Sequence, residues 1–297
     1  MTAATNAGLA PPEASVWAVR RNRAKRLVLH EPLGVLAAAF ILIVSLAAVA
    51  APFVAQYDPT KEVAKALLDP TTSHWFGTDQ FGRDTFARIV YGTRVSLAVG
   101  IIATGFGALG ATVLGMVSAY FGGWVDLIIQ RAVDAVQAIP PLVFLLGLVI
   151  ALDPSFWAIV VALALRGTFV LSRVVRSSVL TTRELLYVEA ARASGAGHLR
   201  VMVRHILPNV APILVVLFSV NVAGNMIAEA SLSFLGFGLQ PPTPTLGSMV
   251  GGDSRLYMIV QPYLLIFPIV TLALIVLSLN LTGDLLRDHM DPRLRGR

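Results

Sequence analysis

Asn221, Asn225 and Glu229 recur every fourth residue inside an apolar run, and Arg166 stands near the middle of another. Positions i, i+4 and i+8 lie nearly one above another on a helix, so the first three form a polar stripe. A charge in hydrocarbon is costly unless it pairs, snorkels or faces a wet cavity. Glu229 therefore reads either as a packing acid satisfied by Arg166 or backbone, or as the lining of a solute path. Arg166 reads either as an ion-pair partner or as part of the same wall. Covalent chemistry has less to work with. No Ser/His/Asp arrangement has a recognisable spacing, and no H-E-x-x-H or G-x-x-x-x-G-K-[ST] stretch occurs. Cysteine is absent, which excludes disulfides and thiolate metal sites, and the five histidines are scattered. The chain reads as non-catalytic, with no metal site and no bound cofactor.

The elements that must position these residues follow from composition. The chain is 56% hydrophobic and 13% charged, with mean hydropathy +0.75; ordinary soluble domains carry about 25% charge. The expectation is an all-α, polytopic membrane protein. Net charge is +6, but the basic residues cluster beside apolar runs, as cytoplasmic flanks do, and do not indicate nucleic acid. Six runs are long enough to cross a hydrocarbon layer of about 30 Å: 33–54, 95–121, 124–152, 155–175, 210–237 and 259–281. Residues 1–32 read as a cytoplasmic tail with a basic cluster (Arg20, Arg21, Arg23, Lys25, Arg26) before an uncleaved first span. A permease-like domain over 33–294 then holds outer loops at 55–92 and 238–258 and a cytoplasmic loop at 177–208, before the end at 295–297. Glycines at 100, 105, 107, 110 and 115 suit close helix packing. In the third span Gln130, Asp134 and Gln137 share a face, Arg131 and Asp134 are an i,i+3 pair, and Pro140-Pro141 predicts a kink.

The polar insert Tyr187–Asn209 interrupts this pattern. It opens with the helix formers Glu189-Ala190-Ala191 and breaks at Gly195–Gly197. It resumes with Leu199, Met202, Val203, Ile206 and Leu207 at helical spacing, Arg200 and Arg204 opposite, and then Pro208. This predicts a helix–turn–helix at the membrane surface, with small residues at its corner so that another protein can come close. Glu189, Ala190, Ala191, Ser194, Gly195, Leu207 and Pro208 resemble the EAA loop of inner-membrane permease subunits of bacterial ABC importers; His205 stands where that motif has isoleucine, with Ile206 beside it.

Two further stretches are similar to the dipeptide/oligopeptide/nickel branch of that family, in particular to the second of its paired permeases. One is the loop with Gly77, Thr78, Asp79, Gly82, Arg83, Asp84, Arg88, Gly92 and Arg94. The other is Glu229–Gly247 with its Gln240–Pro244 turn, followed by Asn280, Gly283, Asp284, Arg287, Asp288, Asp291, Pro292 and Arg293. The resemblance implies a type I ABC importer permease with six transmembrane helices in a prokaryotic inner membrane, both termini cytoplasmic. It implies a second permease, two ATPase subunits that use ATP and Mg, an extracytoplasmic binding protein, and a peptide cargo. Glu189–Gly195 would couple to the ATPases. Asn221, Asn225, Glu229 and Arg166 are path candidates. Asp79, Gly82, Arg83 and Asp84 would either scaffold the outer loop or meet the binding protein. Nickel or glutathione as cargo, and an ion-driven secondary transporter, are the alternatives.

Overall fold

The computed structural model describes residues 31–251, 256–257 and 259–290, and its regular structure is helical. The basic cluster at 20–26 and Asp291, Pro292 and Arg293 lie outside the described residues, as does part of the 238–258 loop. The helices are α1 (Pro32–Val49), α2 (Ala51–Val54), α3 (Thr85–Phe121), α4 (Gly123–Ala138), α5 (Pro141–Ala151), α6 (Phe156–Arg183), α7 (Leu186–Ala193), α8 (His198–Phe234), α9 (Leu246–Val250) and α10 (Tyr263–Met290). Five of them, α1, α3, α6, α8 and α10, are long and apolar enough to cross a membrane, and the bent pair α4–α5 makes a sixth if it is counted as one span.

The bundle is built on α3. Its 37 residues extend about 55 Å at 1.5 Å per residue, well beyond a ~30 Å hydrocarbon layer. The helix begins ten residues before the expected span because Asp84 caps it: its carboxylate accepts the Ala87 N–H at 2.8 Å. Arg88, Ile89, Val90, Gly92 and Thr93 on this extra length are buried. At the other end Gly122, with φ 64°, turns the chain into α4.

α6 runs parallel to α3 and packs against it along much of its length. Gly107 meets Ala164, Gly110 meets Thr168, and Gly115 meets Ser172 and Val175. A Cβ at Gly115 would stand 2.8 Å from the Ser172 carbonyl and from Val175, so only glycine permits this approach. α8 crosses α3 antiparallel, with Val222 and Met226 against Gly100. α10 packs on α8 where Gly283 meets Val220, and α1 packs on α10 where Gly34 meets Leu285. These directions put residues 31 and 290 at the same end of the bundle as α7.

The third span departs furthest from expectation. α4 and α5 meet at 94°, a break and not a kink. Ile139 (ψ 129°) and Pro140 (ψ 133°) are both extended. Each precedes a proline, which disfavours helical backbone at the residue before it, so two successive residues leave the helix. Pro141 then starts α5, where its missing N–H costs nothing. α4 remains an amphipathic helix whose Trp124 and Ile128 are exposed while its polar face is tied to α6.

Replacing Gly115 by Val should overpack the α3–α6 crossing by about 1–3 kcal/mol. Thermal unfolding of the purified protein should then begin at lower temperature. The same change at Gly105, whose Cβ would meet nothing within 4 Å, should leave the midpoint unchanged.

Candidate coupling surface and solute path

α7, the turn at 194–197 and the start of α8 form the predicted helix–turn–helix. Its buried side follows the spacing only in part: Met202, Ile206 and Leu207 pack on the core. Leu199 and Val203 are exposed, whereas Val201 and Ile206 are fully buried, five residues apart. The reason is that Val201–Ile206 is a π-helical segment, whose i→i+5 bonding shifts the inward-facing register. Val188, Val201 and Ile206 join Val210 in one core with Ala111, Met116, Ala119, Leu171, Val175 and Val179, so the loop packs with α3, α6 and α8. Polar contacts tighten the joint. Tyr120 Oη pairs with His198 Nδ1 at 2.9 Å, the Arg192 guanidinium lies over the Tyr120 ring, and Arg183 donates to the Ala119 carbonyl.

The opposite side faces out. Glu189, Ala190, Ser194, Gly195 and Pro208 are exposed, with Ala191 and Leu207 half-buried. Leu186 (82% exposed) and Leu199 (72%) add apolar area to this face. Gly195 adopts φ +79°, and a Cβ there would meet nothing within 4 Å. Glycine is thus required for its left-handed backbone and not for space within this chain.

Two of the three stripe residues on α8, Asn225 and Glu229, are buried and bonded inside the subunit, while Asn221 is half-buried. Asn225 donates to Thr104 Oγ1 at 3.0 Å, and Asn221 donates to the Leu217 carbonyl of its own helix. Glu229, fully buried, accepts from Ser96 Oγ at 2.9 Å and from Ser233 Oγ at 2.7 Å. Ser96 in turn accepts the Leu246 N–H, joining α3, α8 and α9 at one point. Hydroxyls, and not Arg166, satisfy the acid. The helical spacing was informative; the partner residues on α3 carried no local signal.

Arg166 is half-buried on α6 beside the α4–α5 break. It borders a cavity of about 190 Å³ with Gln137, Ile139, Pro141, Phe144 and Val170. Among the described residues it forms no ion pair, whereas the acids nearby are committed. Asp134 pairs with Arg173, and Asp126 receives Arg176 through two hydrogen bonds of 2.7 and 2.5 Å and also pairs with Ser118. Gln130 and Gln137 complete the α4 face by bonding Ser118 and the Phe169 carbonyl. Asp126, which the sequence reading did not single out as a candidate, is a hub of this interface.

The loop before α3 is held together from within, and Asp79, Gly82 and Asp84 are buried in it, while Asp79 and Arg83 also line a cavity of about 420 Å³. Asp79 accepts from the Phe81 and Arg83 N–H groups and from Arg83 Nε at 2.7 Å, with Arg88 Nε at 3.4 Å. Asp84 holds both the α3 cap and His74 Nδ1. Gly82 (φ +71°) passes close to the Ala64 carbonyl. Gln261 and Tyr263, from the start of α10, bond the Leu67 and Leu68 carbonyls. At the exposed corner the Thr60 hydroxyl holds the Asp58 carboxyl below the usual carboxylate range. Among the large apolar side chains of the loop, Trp75 and Phe81 are exposed.

Residues 111–296 match the family described as "Binding-protein-dependent transport system inner membrane component". A "Glutathione transport system permease protein GsiD" of Pectobacterium atrosepticum is 38% identical over 272 residues, 91% of this chain and 90% of that protein. The Shigella dysenteriae protein of the same name is 36% identical over 88% of this chain and 86% of its own length. Among solved structures, an "Inward facing" form of the MetNI methionine ABC transporter aligns with TM-score 0.56 and 20% identity, covering 69% of this chain and 96% of that one. An amino acid ABC transporter aligns with TM-score 0.53 and 19% identity, covering 70% and 95%. Both share the fold.

Asp79→Ala would strip the carboxylate from two nearly buried arginines, a loss of about 3–5 kcal/mol to the loop. Asp84→Ala would remove a cap worth about 1 kcal/mol. Limited proteolysis of the purified protein should cut within residues 57–84 fastest in Asp79→Ala, more slowly in Asp84→Ala and slowest in wild type.

Proposed function

The chain belongs to the inner-membrane components of binding-protein-dependent transport systems, and from that premise we propose that it moves short peptides inward as one of two permeases driven by partner ATPases. It is a multi-pass permease component of an ABC importer; cargo, partner identities and orientation are our reading. In that reading the α7 end of the bundle and both termini face the cytoplasm. ATP and Mg belong to the ATPase subunits, and this chain binds neither. A binding protein meets the opposite end, where Trp75 and Phe81 are exposed.

The observation that carries the proposal is the two-sidedness of the loop. Its inner side is continuous with the core of α3, α6 and α8, while Glu189, Ala190, Ser194 and Gly195 stand free of that core. A partner that grips the outer side moves the loop and the three helices as one body. Residues bonded across the α4–α6 interface then exchange one arrangement for another, the bistability that alternating access requires. An ion-driven transporter would have no use for such a surface.

Glutathione is the second reading of cargo, favoured by the names of relatives that span about nine-tenths of the chain. Vesicles holding the full complex should take up radiolabelled alanyl-alanine or glutathione only with binding protein outside and ATP inside. Competition between the two probes identifies the preferred cargo. If the tagged chain purifies without an ATPase and still transports, the reading is wrong.

Gly195→Asn separates docking from strain, because asparagine accepts left-handed backbone far better than other side chains do. ATP-dependent uptake should fall at least about tenfold, a loss of ~1.4 kcal/mol or more in coupling, while the thermal midpoint stays near wild type. Wild-type uptake by this variant would remove the docking surface from the proposal.

A further inference from the structure

We infer that Arg166 binds the free carboxylate of the cargo as it passes the break between α4 and α5. This rests on the proposed role as a peptide permease and deepens it. Arg166 lies ten residues into α6, about 15 Å from that helix's start at 1.5 Å per residue, near the middle of a ~30 Å layer. An arginine at that depth is retained only with a partner or a wet cavity. The structure provides the cavity and withholds the partner.

Each other arginine placed on the bundle's internal interfaces has an acceptor. Arg173 has Asp134, Arg176 has Asp126, Arg183 has the Ala119 carbonyl, and Arg88 has Asp79 and the Pro59 carbonyl. The elements facing Arg166 supply no spare acid. α5 contains none, and the two acids of α4 are already engaged by Arg173 and Arg176. Gln137, across the same cavity, spends its amide N–H on the Phe169 carbonyl, which fixes that side chain in the wall.

The break supplies the opening. Were α4 and α5 one helix, Ile139 and Pro141 would sit in a continuous turn. Instead the chain bends by 94° and leaves about 190 Å³ in front of the guanidinium. That volume holds a carboxylate and a small adjoining side chain, not a whole peptide, so the site is one contact on the path. A planar guanidinium offers paired N–H donors that match a carboxylate's two oxygens. Phe144, Ile139 and Val170 give the rest of the wall an apolar surface. A bare divalent cation would be repelled at the same place.

The test uses the complete transporter in proteoliposomes with wild type, Arg166→Gln and Arg166→Lys. The probes are alanyl-alanine, glutathione, and the amide of each in which every carboxyl group is amidated. Uptake is read alongside ATP hydrolysis stimulated by loaded binding protein and alongside complex size by chromatography. For the free acids, Arg166→Gln should lower uptake at least about tenfold, with Arg166→Lys intermediate and the complex intact. For the amides, wild type and Arg166→Gln should move equal amounts. Equal losses for acids and amides, or no loss at all, would overturn the inference while leaving the permease reading in place. A complex that falls apart with Gln but holds with Lys would show that Arg166 pairs with an acid of the neighbouring permease, and overturns it too. Absence of any wild-type uptake of the free acids counts against the function itself, and the inference falls with it.

Discussion

A Cβ at Gly107 would lie 3.1 Å from the Ala164 carbonyl, and one at Gly115 would lie 2.8 Å from the Ser172 carbonyl. Between these points α3 and α6 approach more closely than any larger residue permits. Lipid gives no hydrophobic drive to helix association, so such contacts supply the binding force themselves. The crossing fixes the separation and parallel course of α3 and α6. Their far ends then define where the α7 loop can sit: Ala119 and Tyr120 on α3 and Arg183 on α6 are its anchors. The α4–α6 ion pairs at Asp126 and Asp134 are in reach only because α6 holds this course.

Polar residues in the bundle fall into two kinds. Glu229, Asn225, Ser96 and Thr104 satisfy one another within the subunit and join helices. A buried polar group with full hydrogen bonding fixes register, whereas one left without partners is costly. Arg166 is of the second kind, and its cost is bearable because it borders a cavity. The distinction is not visible from residue type. Glu229 and Arg166 look equally out of place in an apolar run, and only the tertiary neighbours separate an internal brace from a contact surface.

The legibility of the sequence follows the range of the interactions concerned. The five long apolar helices, the packing glycines 100, 107, 110 and 115 of α3 and the helix–turn–helix at Glu189–Pro208 depend on periodicity and local breakers, and the structure has them there, whereas Gly105 packs against nothing within this chain. The interruption at Pro140-Pro141 was legible for the same reason, but its angle was not. A kink keeps one helix, while two successive pre-proline residues in extended conformation end it. The π segment defeated the spacing argument at Leu199 and Val203, since a helical wheel presumes 3.6 residues per turn. Asp79 and Asp84 carry motif-like spacing whether they scaffold a loop or meet a partner. Their burial depends on Leu67, His74 and Tyr263, residues far off or unremarkable in sequence.

α3 joins the scaffolded loop at Asp84 to the clamp at Tyr120 without interruption. A single rod anchored at both faces makes communication between them reciprocal. Whatever free energy an event at the clamp contributes toward rearranging the loop, an event at the loop must contribute equally toward rearranging the clamp, because linkage between two sites has one coupling energy and no preferred direction. Under the proposed function, engagement of a loaded partner at one face would change nucleotide affinity in the partner ATPases at the other by the same factor that nucleotide changes that engagement. The direction of net transport would then come from the hydrolysis that breaks this symmetry, and not from the helix that carries it.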